Sequence, residues 1–259
     1  MPQIIAITNQ KGGVGKTTTA VNLATALAAI EKRVLVIDLD PQGNATTGFG
    51  IDKEEGQKNI YHVLIQQASL EEATVKTIVP NLHIVTANMD LSGADIELME
   101  RHNREHILKE RLNDQPLPYD YIFIDCPPGI GFLTLNALTA ANQYLIPVQC
   151  EFYALEGLSH LMRLIKRVKN KLNPTLDLNG VILTMYDKRN SLSDLVTEDV
   201  KQFFGDKVYQ TLIPRNVRIS EAPSHGKPVM LYDHRSAGSE AYAHLAGEML
   251  QHEPQTPAN

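Results

Sequence analysis

The segment Lys11-Gly12-Gly13-Val14-Gly15-Lys16-Thr17-Thr18 constrains this chain more than any other. It follows a β-branched run at residues 4–8 and opens a helical pattern at 16–30, the context a phosphate loop requires. Glycines at 12, 13 and 15 allow left-handed turns that bring backbone N–H groups against phosphate oxygens. The helix that follows turns its positive end toward the same anion. Lys16 is placed to reach the outer phosphates of a nucleoside triphosphate and the Thr17 hydroxyl to ligate Mg²⁺, so the ligand implied is a Mg-bound nucleoside triphosphate.

The rest of the chain is patterned to carry such a loop. Strand-like runs at 4–8, 34–38, 83–86, 121–125, 144–148, 180–185 and 208–213 alternate with helical periodicity at 16–30, 94–112, 158–172, 192–204 and 238–250. In the third of these helices Leu158, Leu161, Met162, Ile165, Val168 and Leu172 trace one stripe. Strands apolar almost throughout, separated by helices, predict an α/β fold: a mostly parallel twisted sheet with helices on both faces. We expect one P-loop domain over residues 1–252, a polar surface loop at 53–58 and a frayed tail at 253–259. With the first strand starting at residue 4, we expect no preceding accessory domain.

Composition excludes several alternatives. The N-terminus lacks the basic and apolar regions of a signal peptide, and no run approaches the ~18 apolar residues of a membrane span. The nine histidines include one pair four apart, His102 and His106, and we expect no metal cage held by protein side chains alone. Cys126 and Cys150 are read as reduced, buried small side chains. A formal net charge of −6 gives no general attraction to nucleic acid, so any such role must come from local basic clusters.

Acidic residues complete the site. Asp125 ends the apolar run 121–125, where it is suited to hold Mg²⁺ through water. Asp38 ends the run 34–38 and leads into Leu39-Asp40-Pro41-Gln42-Gly43-Asn44. Parallel strands deliver such residues to the carboxyl edge of the sheet, beside the phosphate loop.

The loop departs from the standard pattern, because Gln10 stands where its first glycine belongs and Lys11 adds a second lysine. This variant resembles the deviant Walker A motif of the ParA/MinD family. The blocks 7–18, 38–44, Asp125-Cys126-Pro127-Pro128, 147–151 and Ile213-Pro214-Arg215-Asn216-Val217-Arg218 are similar to the short chromosomal ParA type, Soj, over nearly the whole chain. The resemblance implies an ATP-dependent homodimer in which Lys11 touches the partner's nucleotide. It implies that Asp40 orients the attacking water, that Asp38 lies close to the metal, and that turnover is slow without an activator. It places Met185, Pro214, Arg215 and Asn216 around the adenine. It further implies a cytoplasmic, nucleoid-associated partition ATPase that binds double-stranded DNA without sequence preference and is triggered by a ParB-type protein. Arg189 and Arg218 match positions implicated in DNA binding.

Other basic residues are Arg163, Lys166, Arg167, Lys169 and Lys171 on one helix, Lys188, Lys207, Arg215 and Lys227. On pattern alone the helix run is either a solvated face or a phosphate-binding one. Two rival readings remain. A MinD-like membrane regulator needs a basic amphipathic C-terminal helix, whereas residues 241–252 contain no Lys or Arg. A nitrogenase-type reductase would use cysteines from two subunits to hold an iron–sulfur cluster.

Overall fold

The computed structural model describes residues 2–53, 57–151 and 154–252. Seven strands form one sheet: β1 (Gln3–Ile7), β2 (Val34–Asp38), β3 (Thr74–Lys76), β4 (Leu82–Val85), β5 (Tyr121–Asp125), β6 (Gln143–Gln149) and β7 (Asp177–Thr184), in the order β3-β4-β2-β5-β1-β6-β7. Every pairing is parallel except β3 with β4.

Because side chains alternate across a strand, the apolar runs split between two cores. Leu35 and Ile37 of β2 and Ile122 and Ile124 of β5 face one core. Their neighbours Val34, Val36, Tyr121 and Phe123 face the other. The Lys16–Ala29 and Ala237–Gln251 helices cover this second face and pack on each other. The Phe132–Ala140, Ala154–Lys171 and Ser191–Phe204 helices cover the first. With both faces covered, the carboxyl edge is where loops converge.

The structure corrects two sequence assignments. Residues 208–213 do not form a strand and contribute only an isolated bridge, Val208 to Val181. Tyr209 and Ile213 still donate to β7 carbonyls. The amides of Gln210 and Thr211, however, are taken by the Glu248 carboxylate at 2.6 and 3.0 Å, which interrupts the ladder. The helical period at 94–112 breaks into Ala94–Glu97 and Ile107–Asn113. Between them Asn103 adopts a left-handed φ of 56°, and the polar run 99–106 places no buried side chain in the core. The structure adds the antiparallel strand β3 and the Phe132–Ala140 helix. The tail at 253–259 and part of the 53–58 loop lie outside the described residues.

Candidate nucleotide site

β1 lies inside the sheet, between β5 and β6, so the loop leaving it opens beside the ends of both. Gly15 caps the Lys16–Ala29 helix at φ 91°, ψ 26°, a conformation strained for any side chain. The first turn of that helix is therefore turned into the loop. The Thr184 hydroxyl at the end of β7 donates to the Val14 carbonyl at 2.8 Å and fixes the loop from behind.

Lys16 is buried, and its Nζ donates to the Lys11 carbonyl at 3.0 Å. Burial lowers its pKa, while Asp125, then Cys126 and Asp40, act to raise it. An ammonium held without a carboxylate partner in hydrogen-bonding contact is poised for an incoming anion.

The two strand-end aspartates sit side by side, since Asp38 of β2 is in register with Asp125 of β5. Their surroundings differ. Asp38 is saturated: its Oδ2 accepts from the Thr46 amide and hydroxyl, both at 2.8 Å, and its Oδ1 from the Asp40 amide at 3.2 Å. Burial nonetheless pushes its carboxyl up to about 6. Both oxygens of Asp125 are buried with no hydrogen-bond partner. Burial, then the neighbouring Asp38, raises this carboxyl well above the usual range. The Thr17 hydroxyl and Lys16 pull the other way without making a geometric hydrogen bond to it.

A buried carboxylate with no hydrogen-bond partner, beside a threonine hydroxyl, is an oxygen donor set that fits Mg²⁺. Among the described residues no cluster of three or more His, Cys, Asp or Glu would hold a metal by itself. A hard cation here would thus depend on ligand phosphates as well, which is how Mg²⁺ is ordinarily held.

Above these groups lies a cavity of about 710 Å³, within the usual range for a cofactor-sized ligand. Gly12, Gly13, Gly15, Lys16, Thr17, Thr18, Asp40 and Met185 line it. Asp40 is nearly buried and accepts the Gln42 amide at 3.0 Å. Met185 projects from the end of β7 in a left-handed conformation, φ 53°. A larger hollow, about 990 Å³, opens at the amino edge near Gln3, Gln143 and Asp177, away from the loop. The chemistry described above belongs to the smaller cavity.

Other site residues lie off this cavity. Val14 is buried beneath the loop. The Lys11 side chain turns outward to Glu151, Nζ to Oε2 3.0 Å. Pro214, Arg215 and Asn216 do not line the cavity; Arg215 donates its amide to the Tyr186 carbonyl, and Asn216 caps the Val217–Glu221 helix. Arg189 is pinned by Asp187 and Arg218 by Glu221 and Asp233. Sequence reasoning missed the floor and far wall, where Val21, Asn22, Gln42, Thr47, Pro223 and Lys227 contribute. Gln42, within the 38–44 block, and Lys227, named among the basic residues, carried a signal; the others reach the site through tertiary packing.

Both cysteines are buried and free, and burial raises both thiols, that of Cys150 to about 11. Protonated thiols inside the core are poor cluster ligands, and β5 and β6, which they follow, are separated by β1.

Comparison with known proteins agrees with this arrangement. A family described as AAA domain matches residues 2–178. The chain is 55% identical over 253 residues to the chromosome partitioning protein ParA of Caulobacter vibrioides, covering 97% of this chain and 95% of that one. It is 55% identical over 249 residues to the sporulation initiation inhibitor protein Soj of Bacillus subtilis, covering 96% and 98%. Among solved structures, cobyrinic acid a,c-diamide synthase of Mycobacterium smegmatis with bound ADP and magnesium superposes with TM-score 0.85 at 36% identity, covering 97% of this chain and 95% of that one. The septum site-determining protein MinD of Pyrococcus horikoshii, complexed with Mg-ADP, gives 0.80 at 27%, covering 96% of each. This chain belongs to the ParA/MinD family of deviant Walker A P-loop ATPases, within its ParA/Soj chromosome-partitioning branch.

Proposed function

We propose that residues 2–252 act as one Mg-ATP-dependent unit whose nucleotide state controls dimerisation and DNA binding. ATP occupies the cavity above the phosphate loop. The amides of residues 12–18 and the Lys16 ammonium hold the phosphates, and Met185 borders the base, with Pro214, Arg215 and Asn216 closing over it. Thr17 and Asp125 hold Mg²⁺, which neutralises phosphate charge, while Asp38 keeps the Asp40 segment beside it. Asp40 orients the attacking water, as one of few bases at the site, so unassisted turnover is slow.

The observation that carries this reading is the position of Lys11. Its ammonium stands outside its own cavity, about half exposed, and among the described residues its ion pair is with the surface carboxylate of Glu151. A lysine so placed adds nothing to cis phosphate binding that Lys16 does not supply. It is free to complete a second protomer's site, which makes ATP the link between two copies. The dimer then presents Arg189 and Arg218 twice to double-stranded DNA, without sequence preference, and valency raises affinity. A ParB-type centromere-binding protein ends the state by stimulating hydrolysis. Location in the cytoplasm on the nucleoid follows from that DNA affinity.

The partition reading follows the relatives at 55% identity over the synthase at 36%. The MinD-like alternative needs a free amphipathic C-terminal helix. Here Tyr242, Leu245, Ala246 and Met249 of the Ala237–Gln251 helix are packed into the core against the Lys16–Ala29 helix. No helix among the described residues is long and apolar enough to cross a membrane. ATP turnover measured alone, with random-sequence duplex, and with duplex plus a ParB N-terminal peptide tests the proposal. It predicts low, modestly raised and strongly raised rates in that order; equal rates in all three would refute it.

A further inference from the structure

The two arginines assigned to DNA are not free cations in the fold. Arg189 makes a two-pronged contact with Asp187, at 2.9 and 2.8 Å, and Arg218 lies between Glu221 and Asp233, at 2.9 and 3.3 Å. Each carries its own counter-charge.

The Ala154–Lys171 helix is different. Between residues 157 and 171 the sequence holds five basic side chains and no Asp or Glu, in a chain whose formal net charge is −6. Leu158, Leu161, Leu164, Ile165 and Val168 are buried and fix the inward face. Arg163, Lys166, Arg167 and Lys171 are thereby turned to solvent, and all four are exposed. Their spacing of three and four puts them on one stripe, roughly 12 Å long at 1.5 Å per residue. The fifth, Lys169, lies off it and faces Asp177 at 3.8 Å. Among the described residues none of the four stripe cations has an ion pair or hydrogen bond. Like charges three and four apart on a helix repel one another, and no ion pair among the described residues offsets that repulsion on the stripe.

We infer that the solvent face of the Ala154–Lys171 helix, through Arg163, Lys166, Arg167 and Lys171, is a contact surface for the phosphate backbone of double-stranded DNA. The inference rests on the proposed DNA-binding function and moves its electrostatic centre away from Arg189 and Arg218. Duplex DNA carries about one charge per 1.7 Å of axis, so a rigid stripe of this length faces several phosphates at once. An anionic bilayer is the competing partner for a basic helix. It also needs bulky apolar side chains on the outward face, and none of the exposed large hydrophobic residues lies on this helix.

The triple substitution Arg163→Gln, Lys166→Gln, Arg167→Gln, in the full chain with Mg-ATP, tests this by fluorescence anisotropy on a short random-sequence duplex over a series of salt concentrations. The affinity is expected to fall at least ~10-fold, with the log–log salt slope reduced by roughly 0.9 for each lost phosphate contact. Lys171→Gln alone, at the helix end, is expected to shift both in the same direction by less. The charge-conserving pair Arg163→Lys, Arg167→Lys should bind like wild type. Matching thermal melts of the triple variant and wild type show that the fold is intact.

Wild-type binding with an unchanged affinity and slope in the triple variant overturns the helix assignment and leaves the DNA-binding function standing. Failure of wild type itself to bind duplex overturns both. ATP-dependent sedimentation with phosphatidylglycerol vesicles, lost in the triple variant while duplex binding persists, overturns it in favour of a membrane.

Discussion

Lys11 and Glu151 form an ion pair, Nζ to Oε2 3.0 Å, that ties the phosphate loop to the segment leaving β6. The other oxygen of Glu151 accepts from the side-chain Nε2 of Gln149 at the end of β6. On the proposed reading, this contact holds the Lys11 ammonium on its own chain until a partner's nucleotide replaces it. Exposed pairs of this kind contribute about 0–1 kcal/mol. The parking is therefore weak enough to be exchanged for a phosphate on a second protomer.

Glu151→Gln removes the parking charge and leaves the shape. Sedimentation in Mg-ATP is predicted to show dimers at a protein concentration up to about 5-fold lower than for wild type, the factor equivalent to about 1 kcal/mol. Weaker dimerisation would mean that Glu151 supports the interface instead.

The paired carboxylates Asp38 and Asp125 make the nucleotide-free protein sensitive to pH. Burial raises both, and a carboxylic acid with a raised native pKa binds more protons folded than unfolded between the two values. The associated stability is present below 3.8 and is lost as pH rises through about 6 for Asp38. The Tm without nucleotide is predicted to fall between pH ~5 and ~7.5. Mg-ADP should restore it at the upper end, and Asp125→Asn should flatten the dependence. A nucleotide-free Tm that rises over the same interval would contradict the assignment.

Thr46 links the metal side of the site to the next strand. Its hydroxyl donates to Asp38 at 2.8 Å and accepts the Ala87 amide at 3.1 Å, fully buried. Thr46→Val conserves shape, leaves the Ala87 amide without its acceptor and removes one of the two donors to Asp38 Oδ2. Chemical unfolding should show a loss of about 1–3 kcal/mol, and Mg-dependent nucleotide affinity should fall as the Asp40 segment loosens.

Much of this was legible in the residues because it is local. The β-branched runs of β2 and β5, the glycine loop and the strand-end aspartates each carry their pattern within a few positions. The pieces that were not legible depend on distant partners. Residues 208–213 have strand composition, yet Glu248 on the last helix claims two of their amides. β3 is only Thr74–Lys76, an edge strand too short and exposed to show an alternation. At the site, Lys11 and Asp40 stood out in sequence. Asn22 and Pro223 enter the cavity only because helices pack there. That Asp38 is saturated while Asp125 is bare follows from Thr46, eight residues beyond the strand end, and no motif announces it.

The central claim is that Lys11 acts across a nucleotide-bound dimer. It is tested most directly by light scattering of Asp40→Ala and of the double variant Lys11→Ala, Asp40→Ala, each in Mg-ATP, with bound nucleotide measured in parallel. The single variant is predicted to form a stable dimer and the double variant to retain ATP as a monomer. A monomeric Asp40→Ala protein with ATP bound, or a double variant that dimerises as well as the single one, would contradict it.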